Sequence, residues 1–149
     1  MRTDLHIYKL TRTFLVSLTI LFANCSTNVD EKKFLSEMGI DLTDKYETVT
    51  SSNQPAIGDQ LIEFKLKISD KDVQAIKKKI ESLENFQVVA DNESPNRTYK
   101  GPNKKIEIFG WKRNETYSYE ITKQMTSGFE SYNLSLLPEN ILIFQWADE

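Results

Sequence analysis

The stretch QLIEFKLKIS alternates strictly, with Ile62, Phe64, Leu66 and Ile68 on one side and Glu63, Lys65 and Lys67 on the other. Period two over this length predicts a strand in a sheet with one dry face and one wet face. The period changes at once in SDKDVQAIKKKIESL, where Val73, Ile76, Ile80 and Leu83 recur at helical spacing. Ser69 with Asp72 resembles a capping box at the start of this helix. Lys77, Lys78 and Lys79 near its end suit the macrodipole, so the triple lysine reads as a solvated helix end and not as a docking site. Upstream, DEKKFLSEMG predicts a shorter helix with Asp30 as N-cap, Phe34, Leu35 and Met38 on one face, and Gly39 as its stop. Between the two helices, YETVTSS predicts a weak strand and NQPAIGD (53–59) a loop of turn formers.

Beyond the second helix, ENFQVVAD predicts a further strand and DNESPNRTYKGPN a long exposed loop. Two hairpins follow. A turn at Arg113 and Asn114 places Ile106, Ile108 and Gly110 on one face with Tyr117, Tyr119 and Ile121, where Tyr117 covers the gap at Gly110. The other face then carries Glu107, Phe109 and Trp111 with Thr116, Ser118 and Glu120. In YNLSLLPENILIFQW, a turn over Pro138, Glu139 and Asn140 with Asn140 in the left-handed region sets Tyr132, Leu134 and Leu136 beside Leu142, Phe144 and Trp146. No internal repeat is visible. The expected fold is α+β, one curved antiparallel β-sheet packed against a single main helix, plus a short N-terminal helix.

The first 24 residues break this pattern. Arg2, Lys9 and Arg12 precede FLVSLTILFA (14–23), ten positions without a charge in a chain of 149 residues. Ten residues of helix reach about 15 Å, half the thickness of a hydrocarbon core, so this is the h-region of a secretory signal and not a spanning helix. The rest is long enough for one domain. The expected organisation is a signal peptide at 1–24, a polar tether at 25–33 and one α+β domain at 34–149. Removing Arg2, Lys9, Arg12 and Asp4 with the leader takes the formal charge from −3 to −5. A mildly acidic body discourages binding to nucleic acid and to anionic lipid through its general field.

Phe22, Ala23, Asn24 and Cys25, directly behind the h-region, resemble the lipobox of bacterial lipoproteins. Ala23 and Cys25 fit that box, while Phe22 stands where Leu is usual and Asn24 where Gly, Ala or Ser is usual. The resemblance covers about the first 25 residues. It implies that Cys25 becomes the first residue of the mature chain and carries diacylglycerol on its sulfur, in a family whose new amine is often acylated too. The chain is then a membrane-anchored lipoprotein of the bacterial cell envelope. Two acyl chains make a stable anchor where one is only marginal. The alternatives are an ordinary cleaved signal and an uncleaved anchor. Cys25 is the only cysteine, so acylation would leave no free thiol.

The sole histidine, His6, lies in the leader. The mature chain therefore lacks a Ser-His-Asp or Cys-His nucleophile, the commonest general base and the usual zinc ligands. No phosphate-loop, dinucleotide or calcium-loop spacing occurs, and no cofactor is expected. Glu107 and Glu120 would face each other in the first hairpin, but an exposed pair relieved by lysines explains them better than glycosidase chemistry. The expected function is non-catalytic binding of a partner protein or an envelope ligand such as a glycan. Phe109 and Trp111 on the hairpin's outer face are the candidate contacts. The alternative is an inhibitory or immunity-type module that blocks an envelope enzyme with loop 53–59 or loop 91–103.

Overall fold

The computed structural model describes residues 29–55, 59–97, 105–126 and 128–148; the expected leader and Cys25 lie outside them. Helix α1 (Glu31–Glu37) starts where Asp30 accepts a bond from the Lys33 N–H. It stops at Gly39, whose φ of 65° suits the residue without a Cβ. There the Ile40 N–H bonds the Leu35 carbonyl and the Gly39 N–H that of Ser36. Helix α2 (Asp70–Glu81) starts at Ser69, whose hydroxyl accepts from the Asp72 N–H.

The strands are β1 (Glu47–Pro55), β2 (Gln60–Lys67), β3 (Gln87–Val88), β4 (Ile106–Arg113), β5 (Thr116–Met125), β6 (Gly128–Leu137) and β7 (Ile141–Asp148). They form one sheet in the order β1-β2-β7-β6-β5-β4-β3. The last strand, β7, thus inserts between β2 and β6, and α2 carries the chain from β2 across the sheet to the far edge.

This corrects the expected fold class. The sheet is mixed and not antiparallel, because β3 runs parallel to β4. Half of the described residues lie in strands, so sheet dominates. Two helices, not a single main one, close the core: α1 contributes Leu35, and α2 contributes Val73, Ile76 and Ile80. The parallel pairing follows from the crossover, since a strand reached through a helix re-enters in a direction that a hairpin cannot give.

The alternation of β2 holds along its length: Ile62, Phe64 and Leu66 are buried beneath the helices. In register with them across β7 and β6 stand Trp146, Phe144 and Leu142, then Tyr132, Leu134 and Leu136. The Phe64 and Phe144 rings stack at 4.5 Å, and Phe34 of α1 meets Phe144 and Trp146 at 5.8 and 5.6 Å. Each large side chain buried this fully contributes about 1.5–3 kcal/mol.

The β6–β7 turn forms as expected over Pro138–Asn140, with Glu139 at φ 62° and Asn140 at φ 64°. In the β4–β5 hairpin the turn moves to Asn114 and Glu115, with Asn114 at φ 52°. Asn tolerates that conformation and Arg does not. Gly110 therefore pairs with Tyr119 and Ile108 with Ile121, while each residue keeps its expected face. A Cβ on Gly110 would lie 2.5 Å from Leu83 Cδ1 and 3.1 Å from Ile80 Cγ2, so the missing side chain is what lets the end of α2 approach β4. Strand β1 extends through Asn53 to Pro55, into the stretch expected as loop.

The expected tether at 25–33 overlaps structured residues. Val29 packs against the core, Asp30 caps α1, and Lys32 and Lys33 are helical.

Candidate functional site

Both helices cover the same side of the sheet, so the other side is the outer face. Phe109 and Trp111 of β4 lie on it, as expected from their parity, but they are not both open. Phe109 is only 4 % exposed and Trp111 is half-buried. Phe109 is therefore part of an interior and not a free binding platform.

The segment that follows β3 folds back over this side. The Gln87 side chain bonds both the N–H and the carbonyl of Asn96, at 2.9 and 2.7 Å. The Arg113 guanidinium donates to the Glu93 carbonyl and the Asn114 amide to the Asp91 carboxylate. Arg97 then reaches Glu120 of β5 at 2.9 Å, with its guanidinium 5.4 Å from the centre of the Trp111 ring. Glu120 is largely buried and Arg97 substantially exposed, so the pair is covered from one side only. A guanidinium over an indole gains quadrupole attraction while keeping donors free for a further acceptor.

The two carboxylates considered for hydrolysis are not cross-strand partners. Glu120 pairs with Phe109, and Glu107 pairs with Thr122, one step further along the hairpin. From Glu120 a row of polar residues crosses the open part of the outer face through Asn133, Gln145, Glu63 and Ser52. Gln145 donates to Glu63 within it. Neighbouring strands are about 4.8 Å apart, so the row offers amide and carboxylate groups at even spacing.

The other buried acid, Asp72, is committed to structure. Its carboxylate accepts from the Thr43 N–H and hydroxyl at 2.9 Å each, the Asp44 N–H at 3.2 Å and the Ser69 hydroxyl at 3.0 Å. Burial opposes its ionisation, but the bonds from Thr43, Asp44 and Ser69 outweigh it and hold the carboxyl below its usual range. Its sequence position suggested a helix cap alone; the link to Thr43, 29 residues upstream, has no local signal.

Among the described residues there is no group of three or more His, Cys, Asp and Glu side chains placed to hold a metal ion. Among them, too, no helix is long and apolar enough to cross a membrane. Cys25 lies outside the described residues. None of the protein families, curated proteins or solved structures compared with the chain matches it.

Proposed function

We propose that the protein is a lipid-anchored component of a bacterial cell envelope that acts by binding and not by catalysis. The observation that carries this reading is the order basic segment, charge-free h-region and Phe22-Ala23-Asn24-Cys25, followed within a few residues by the folded body. A diacylglyceryl group on Cys25 would hold that body at a membrane. The Arg97–Trp111 pair on the outer face is the contact offered to a partner protein, because it combines an apolar ring with a substantially exposed guanidinium.

A second reading, an inhibitory or immunity-type module, is favoured by one observation. The loop from Asp91 to Arg97 is fastened to β3, β4 and the β4–β5 turn by its own hydrogen bonds, so it is presented with little ordering cost left for binding.

The test is mass spectrometry of the N-terminal peptide from detergent-solubilised native protein, together with its co-purifying proteins. The expected result is a chain that begins at acylated Cys25, and a Cys25→Ser variant that loses the acylated species. An unmodified Cys25, or a mature chain starting elsewhere, overturns the anchor. Co-purification of an envelope hydrolase that the protein inhibits would favour the second reading.

A further inference from the structure

Three residues separate Cys25 from Val29, and Val29 already packs on the core. The four backbone steps from Cys25 to Val29 reach no more than about 14 Å even when fully extended, whereas a body of this size is roughly 30 Å across. An anchor on Cys25 would therefore decide which side of the body meets the membrane. The place where the chain enters is given by Glu31, whose carboxylate accepts from the Thr48 hydroxyl at 3.1 Å and the Tyr46 hydroxyl at 3.4 Å. Thr48 lies at the start of β1, one outer edge of the sheet, and Tyr46 directly precedes that strand.

The charge pattern along that edge agrees. The body carries a formal charge of −5 without the leader, but Thr48 to Pro55 contains no charged residue. Apart from Val49 and Pro55 its side chains are hydroxyls and amides, and they can lie against a headgroup layer without repulsion. The bulge between Thr48 and Thr50 leaves Val49 46 % exposed on the same edge.

We infer that the body stands on its β1 edge against the lipid headgroups, with the β3–β4 edge as its membrane-distal end. This rests on the proposed lipid anchor at Cys25. Six strand spacings separate β1 from β3, about 29 Å. The exposed side chains of Val88, Ile106 and Ile108 are then held outward, away from the bilayer.

The test uses the full lipidated chain in phosphatidylcholine vesicles that contain a headgroup-spin-labelled lipid. Thr50→Cys and Val88→Cys place a thiol for a fluorophore at two exposed positions, one on each edge, while the Cys25 sulfur is occupied by its lipid. The expected result is strong quenching at position 50 and little at position 88. Inserting about twenty Gly/Ser residues after Ser26 adds roughly 25 Å of reach and should level the two. Protein that floats with the vesicles but is quenched equally at both positions, or more at 88, overturns the orientation and leaves the anchor standing. Protein that fails to float overturns the anchor, and the orientation with it.

Discussion

Replacing Asp72 by Ala would remove the acceptor that ties the start of α2 to the loop joining α1 and β1. Four donors converge on this carboxylate. The two hydroxyls can turn to water when it is lost, but the Thr43 and Asp44 N–H groups are held by the loop. A bond to a charged acceptor contributes about 1.5–3 kcal/mol, and the low end applies because Thr43 and Asp44 are themselves exposed. Two such bonds make about 3 kcal/mol, or roughly 12 °C in melting temperature for a domain of this size. Thermal unfolding followed by circular dichroism at pH 7 reads this directly. Asp72→Asn keeps one acceptor oxygen and should lose about half as much. The pH dependence has a definite sign. The folded carboxyl sits below its ordinary value, so its stabilisation is present above about pH 4 and is lost as pH falls through the folded value. The gap between the native protein and Asp72→Ala should therefore close in acid. A deficit under about 1 kcal/mol at pH 7, or one that persists undiminished in acid, refutes the reasoning.

Gly110→Ala should destabilise by about 1–3 kcal/mol in denaturant titration, because its Cβ would overlap Leu83 and crowd Ile80. Arg97→Ala should cost only about 1 kcal/mol, since one partner of its ion pair is exposed. In a Trp146→Phe background it should also shift the Trp111 emission to the red, and an unchanged spectrum would mean that Arg97 does not cover the ring. Phe34→Ala, which removes the ring between Phe144 and Trp146, should cost about 2–3 kcal/mol and alter Trp146 emission. Unchanged emission would place α1 elsewhere on the sheet.

What could be read in the sequence was what repeats within a few residues. The alternation from Ile62 to Ile68 announced both a strand and its dry face, and Asp30, Gly39 and Ser69 marked helix ends through bonds that span at most five residues. The Pro138–Asn140 turn was legible because few residues accept the left-handed region. The β4–β5 faces were legible for a different reason: moving the turn by one residue changes each partner by two positions, which preserves parity. The strand expected in ENFQVVAD forms as the two-residue β3, but nothing local announced that it would run parallel to β4, or that β7 would insert between β2 and β6. The burial of Phe109 did leave a trace. An apolar ring among Glu107, Thr116, Ser118 and Glu120 on a nominally wet face requires a cover, and the loop with Pro95 and Arg97 approaches from that side.

The position of α1 joins the two halves of the reading. Phe34, Leu35 and Met38 hold this short helix to the sheet, and in doing so they leave three residues between Cys25 and the packed Val29. Were α1 to detach, the residues from Val29 to Ile40 would extend the tether by about 40 Å, enough to free the body from any fixed orientation. With the proposed anchor on Cys25, the reach of the domain would thus be set by a packing energy. A helix of seven residues has too little intrinsic stability to form alone, so its order depends on Phe144, Trp146 and the Leu35 site being intact beneath it. If Cys25 carries the proposed lipid, a change in the core beneath α1 would alter membrane geometry without touching Cys25. The Phe34→Ala variant would therefore be expected to weaken the contrast between positions 50 and 88 on vesicles, although neither position is near the substituted ring in sequence.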